Sequence, residues 1–275
     1  MFHLELLPTV NRILVDPAFL SSVALICQTV PKVFKSEPRL VRAVGDFGAL
    51  AMVVCAKGIA SENGGQFTYS SVQSLIVKRR WASGRRVRAI FEWLEWEETV
   101  TRPALYADRR TRPLSVVGWL QAGVQALAVA YIEAARPWRQ IDNEKSYRHA
   151  TTDTESVITK LYNLLTFAGE GVPFSVETRL FSGHAAGFPL LLDLIATCMA
   201  ADWPVSGVFF SRKAHAASYN VSRAHITKIF AKAEEIGILA RTERDMKVSP
   251  SPSLRGNVLR DLAYQFASIV WMLKC

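Results

Sequence analysis

The sequence predicts a mainly α protein with small β hairpins, an α+β class, arranged as two similar halves. Three observations predict it. Apolar residues recur at helical spacing through most of the chain. One stretch of sequence matches another at a constant offset. In both copies, two helical segments joined by a tight turn run into a short basic hairpin. With 275 residues, half of them apolar and 21% charged, the chain can bury the cores of about two domains and does not have a disordered composition.

Setting Gln66–Val100 beside Val205–Leu239 aligns Ser83 with Ser222, Val87 with Ile226, Ile90 with Ile229 and Phe91 with Phe230. The offset is 139 residues (222 minus 83). Kept in both directions, it sets Gly48 on Gly187, Arg102 on Arg241, Pro113 on Pro252 and Leu120 on Leu259. Weaker matches upstream pair Val30-Pro31 with Val172-Pro173 and Arg39-Leu40-Val41 with Arg179-Leu180-Phe181. The expected halves are 1–138 and 139–275, with the polar stretch Gln140–Thr154 as a linker or helix start near the junction.

The second copy shows the unit most clearly. Ser211 caps a short helix whose small inward residues are expected to be Ala214 and Ala217. Tyr219-Asn220 turns the chain, because asparagine tolerates the left-handed conformation, and Val221 plugs the turn. Ser222 caps a second helix that buries Ile226, Ile229, Phe230 and Ala233. Ala224, Thr227, Lys228 and Ala231 then face outward, bordered by His225 and Lys232. Gly237 ends this helix, Ile238–Arg241 and Met246–Val248 form a hairpin, and Arg241, Arg244 and Lys247 make it basic.

In the first copy the second helix starts at Ser83, buries Val87, Ile90, Phe91 and Leu94, and turns Arg85, Arg88, Glu92 and Trp96 outward with Arg86 to one side. Lys78 to Arg88 holds six basic residues, Arg79 and Arg80 among them, and no acidic one. Arg109, Arg110 and Arg112 charge the hairpin, and Pro103 interrupts its first strand. The two helix-turn-helix units span about 70–98 and 211–236, and the hairpins about 99–113 and 238–249.

Helix, tight turn, second helix and basic hairpin is the winged helix-turn-helix order, so the finer expectation is tandem winged helix-turn-helix domains. The second helix suits the B-DNA major groove, and the basic wing suits phosphates. Val221–Leu239, VSRAHITKIFAKAEEIGIL, resembles the recognition helix and following strand of the MarR family. That family's wing carries an Asp-x-Arg pattern. Asp108-Arg109-Arg110 is similar to it, and Asp245-Met246-Lys247 is similar with lysine in place of arginine.

The resemblance implies an internally duplicated MarR-type subunit that binds double-stranded DNA as a transcriptional regulator. The expected contacts are Arg79, Arg80, Arg85, Arg86, Arg88, Arg109, Arg110, Arg112, Arg223, His225, Thr227, Lys228, Lys232, Arg241, Arg244 and Lys247. The resemblance also implies a small-molecule effector bound between the DNA-reading units and flanking helices, which form an intramolecular pseudo-dimer. Further homodimerisation stays open. The flanking helices are expected over Leu114–Tyr131, and over Leu254–Leu273 with a stripe through Val258, Leu262, Phe266 and Ile269. The unequal reading helices predict an asymmetric DNA site.

A formal net charge of +9 suits a polyanion, either nucleic acid or an anionic membrane surface. Pro113–Ile132 lacks charge, but Gln121, Gln125, Gly118 and Gly123 dilute its hydrophobicity and no membrane span is expected. The start Met-Phe-His-Leu-Glu has no basic n-region, which predicts no secretory leader. Cys27, Cys55, Cys198 and Cys275 show no CxxC pattern, and the five histidines have no metal spacing. Isolated thiols predict a reducing compartment, the lack of Cys/His spacing predicts no metal, and DNA binding predicts a cytoplasmic, nucleoid-associated protein. The sequence holds no GxSxG, P-loop, post-strand GxGxxG or HExxH, so neither an enzyme nor a cofactor is expected. Two other readings share the frame: a plasmid-type replication initiator with two winged-helix domains, and a membrane-associated or protein-binding winged-helix module.

Overall fold

A computed structural model describes residues 2–101, 113–138, 158–159, 162, 174–203, 207–240 and 247–274. It is mainly helical with two small antiparallel sheets. Two N-terminal helices, α1 (Phe2–Val15) and α2 (Phe19–Ser36), meet at Asp16 with a bend of 96°. Asp16 Oδ1 accepts a hydrogen bond from the Ala18 amide at 2.8 Å and Oδ2 accepts one from Trp138 Nε1 at 3.0 Å.

There follow α3 (Arg39–Val44), α4 (Phe47–Glu62), β1 (Phe67–Thr68), α5 (Tyr69–Lys78), α6 (Gly84–Trp96), β2 (Val100–Thr101), β3 (Pro113–Val116) and α7 (Gly118–Ala134). The same order recurs as α8 (Val176–Ser182), α9 (Gly187–Ala200), β4 (Val208–Phe209), α10 (Arg212–Ser218), α11 (Arg223–Glu235), β5 (Leu239–Ala240), β6 (Lys247–Pro250) and α12 (Pro252–Lys274). Each set carries a three-stranded sheet whose central strand is the return strand of the hairpin, in the orders β1-β3-β2 and β4-β6-β5. The sequence pattern misses the third strands β1 and β4, which are two residues long, too short to show alternation.

The registers correct the constant offset. It holds at 139 from Ser83/Ser222 through β2/β5. Val100 pairs with Val116 and Leu239 with Pro250, so beyond the hairpins the offset falls to 134 (250 minus 116). The first hairpin is thus five residues longer, and Leu120 corresponds to Leu254 rather than Leu259. Pro113 and Leu114 lie in β3, not in a helix, and pair with Thr68 and Phe67. Val30-Pro31 lies inside α2. Its supposed match Val172-Pro173, the linker Gln140–Thr154, and Arg102 and Arg241 with the hairpin tips all fall outside the described residues.

The flanking helices pack differently from the expected direct pairing. α7 and α12 do touch, but α12 lies mainly along α1, while α2 lies between α7 and α9. Phe19, Val23, Ile26, Cys27, Val30 and Phe34 bury the face of α2 that serves this role. Trp138 stacks on Phe266 with centroids 5.4 Å apart, and both rings meet Phe19, which ties α2 to α12. The two N-terminal helices therefore join both halves of the sequence, and the buried apolar residues form one continuous cluster. Among the described residues no single helix is long and apolar enough to cross a membrane.

Candidate nucleic-acid interface

Each helix–turn–helix is nucleated by side-chain caps. Ser83 Oγ accepts from the Arg86 amide and Ser222 Oγ from the His225 amide, which fixes where both second helices start. Ser211 caps α10 in the same way, while Thr68 and Ser71 form a reciprocal box at α5. Between the helices, Arg80 and Asn220 occupy equivalent left-handed positions with φ of 57° and 51°. The Trp81 amide then donates to Ile76 O and the Val221 amide to Ala216 O. Counting from these bonds, the first turn holds one residue more, Ala82. Arginine in this conformation costs about 1 kcal/mol that asparagine largely avoids.

The buried faces of the second helices are as the helical spacing predicts. Val87, Phe91 and Leu94 are buried, with Ile90 partly so, as are Ile226, Ile229, Phe230 and Ala233. Phe91 meets Phe67 and Tyr69 at 5.7 and 6.1 Å, and Phe230 meets Phe210 and Phe181 at 5.4 and 6.1 Å. In α10 the inward residue is Ala216, joined by Tyr219 just past its end, whereas Ala214 and Ala217 are exposed. An alanine-rich seven-residue helix offers too little contrast for its inner face to be chosen from sequence.

On the outward side, Arg80, Arg85, Arg88, Glu92, Arg223, Ala224, Lys228, Ala231 and Lys232 are exposed, and Thr227 is half-buried. Trp96 is 76% exposed. Arg79 is half-buried beside α4, where its charge reaches the Cys55 thiol. Lys232 pairs with Glu235 at 2.8 Å. Lys247 lies exposed on β6. Arg109, Arg110, Arg112, Arg241 and Arg244 lie outside the described residues.

Arg86 and His225 have a different role from their neighbours. They stand at the same position, third in each second helix, and both tie back to the preceding corner. The Arg86 guanidinium pairs with Asp46, which is 4% exposed and also caps α4 through the Ala49 amide. His225 Nε2 contacts Ala185 O at 2.8 Å, next to the start of α9. His184 packs edge-on to His225 at 6.2 Å. Burial, and then the neighbouring His225 and Lys228, hold the His184 imidazole below its ordinary value. Asp46 and His184 escape a sequence reading because neither sits in a periodic pattern.

The second unit has a further anchor. Asp193 on α9 receives Lys35 from α2 at 2.7 Å and the Tyr219 hydroxyl at 2.7 Å, with His215 Nε2 at 3.5 Å. His215 stacks on Phe210 at 3.9 Å. This joins α10 to the helical layer below.

An α-helix with its side chains is about 10–12 Å across, close to the roughly 12 Å width of the B-DNA major groove. Both second helices expose basic residues, Arg85 and Arg88 on α6 and Arg223 and Lys228 on α11, and serine caps leave their electropositive N-termini at the surface. No group of histidine, cysteine, aspartate or glutamate able to hold a metal is present among the described residues. No protein-family model, curated protein or solved structure matches this chain.

Proposed function

We propose that this chain is a sequence-specific, double-stranded DNA-binding transcriptional regulator, built as an internally duplicated winged-helix protein of MarR type. The observation that supports this most is the pair of equivalent second helices. Each is locked from beneath by its third residue and by an apolar stripe, and each presents exposed residues on its outer face, Arg85 and Arg88 in α6 and Ala224 and Lys228 in α11. A rigid helix with an open polar face is what base readout in the major groove requires. The excess of arginine and lysine supplies the phosphate attraction. Control of affinity by a small-molecule effector belongs to the same reading.

The test is to expose the purified protein to sheared genomic DNA from its own organism at two salt concentrations and sequence the bound fragments. One or a few promoter sites should be enriched and survive the higher salt. Charge reversal at Arg85 and Lys228 should abolish that enrichment while the circular dichroism spectrum is retained. Retention that is blind to sequence and lost in salt, or unchanged footprints in both variants, would exclude base readout by these helices.

A further inference from the structure

Building on the DNA-binding reading, we infer that the two second helices read different base pairs. On this inference α6 reads G·C pairs through Arg85, Arg88 and Glu92, and α11 reads A·T pairs through the methyl groups of Ala224, Thr227 and Ala231.

The gapless correspondence of α6 and α11 makes their outer faces comparable position by position. Both helices have 13 residues and start after equivalent serine caps. The second, fifth and ninth residues of each lie on the outer face: Arg85, Arg88 and Glu92 in α6, and Ala224, Thr227 and Ala231 in α11. The third position is occupied in both by the tie to the preceding corner. What remains differs in chemical kind. Arginine fits the O6 and N7 acceptors of guanine with two parallel donors, and a carboxylate accepts from the N4 amine of cytosine. Alanine and threonine present methyl groups, which match the C5-methyl of thymine.

The cations of the second helix sit off these three positions: Arg223 is its first residue, Lys228 its sixth and Lys232, paired with Glu235, its tenth. Lys228 takes the sixth position, where α6 has Ala89. A lysine is a flexible point charge suited to a phosphate rather than to a bidentate base contact. Charge therefore does different work in the two units. In α6 it lies on the reading face, and in α11 it lies beside it. The target that matches this pair is a site of two unequal blocks, one rich in G·C and one rich in A·T.

The test is selection by the full-length protein from duplexes with a randomised core, followed by sequencing. The wild type should enrich a motif with one G·C block and one A·T block. Arg85→Ala/Arg88→Thr/Glu92→Ala gives α6 the outer residues of α11. It should lose the G·C block, keep the A·T block, and bind the wild-type motif at least about 30-fold more weakly. The reciprocal Ala224→Arg/Thr227→Arg/Ala231→Glu should turn the A·T block towards G·C. A motif of two equal halves, or a G·C block that survives the first exchange, overturns this inference and leaves DNA binding standing. Failure of the wild type to enrich any motif overturns the inference together with the reading it rests on.

Discussion

Beneath the first helix–turn–helix, α3 meets α7 through apolar and aromatic groups, while beneath the second, α8 meets α12 through buried polar ones. Along α7 and α12 the correspondence, 134 residues apart, is direct at Trp119/Ser253, Gly123/Asn257 and Leu127/Asp261. In the first unit Leu40 is fully buried and sits so close to Gly123 that an added Cβ would lie 2.4 Å from its Cδ2. Arg39 and Arg42 cover Trp119 and Trp93 at 4.6 and 4.4 Å, and Glu37 pairs with Arg39 near the surface.

In the second unit Glu177 is 4% exposed and receives Asn257 Nδ2 at 2.8 Å. Asp261, 3% exposed, accepts from the Ser175 amide at 2.9 Å and from its hydroxyl. Glu177 Oε2 and Thr178 Oγ1 are buried without a hydrogen-bond partner among the described residues. One backbone arrangement is thus held by two chemistries. Close apolar packing depends on volume, and a buried polar cluster depends on every donor being present.

Exchanging residues at one position breaks this contrast most sharply. Gly123→Asn places a Cβ against Leu40 and an amide in a dry interface, and should destabilise the protein by about 4 kcal/mol through overpacking and an unpaired polar group. Asn257→Leu in the second unit removes the donor to a buried carboxylate, with an expected loss of about 3 kcal/mol. Urea unfolding of both variants measures the two effects. A neutral Gly123→Asn would mean that the first interface has room it is not credited with. A neutral Asn257→Leu would mean that Glu177 is not held by that bond.

Much of the helix–turn–helix unit was legible from sequence because its signals are local. Ser83, Ser211 and Ser222 precede helices they cap, Asn220 takes the left-handed turn position, and Ile226, Ile229, Phe230 and Ala233 are buried at the predicted spacing. What escaped depends on distance along the chain. The five extra residues in the first hairpin leave no periodic trace, so the offset drifts unseen from 139 to 134. The apolar stripe of α2 from Phe19 to Phe34 has helical spacing, but spacing alone does not place it between α7 and α9. Arg86 and His225 looked like groove residues because their partners, Asp46 and Ala185, lie 40 residues upstream in each case.

The smallest expected effect in this comparison is a slope with pH confined to the second interface. Burial, with Glu177 nearby, raises the Asp261 carboxyl above the ordinary aspartate value, and the hydrogen bonds from Ser175 offset part of that rise. The folded state therefore binds this proton more tightly than the unfolded chain does. Its contribution to stability is fully present below the unfolded aspartate value of about 3.9 and is lost as pH rises through the raised folded value. Asp261→Asn keeps an oxygen for the Ser175 donors but carries no titrating proton. Subtracting its urea-unfolding free energy from that of the wild type at each pH cancels the other carboxylates. The difference should move against the wild type as pH climbs out of the acid range. A flat difference would mean that folding leaves this carboxyl unshifted, and one that moves the other way would mean that Asp261 is stabilised as the anion, so that the second interface gains from the charge that the first one lacks.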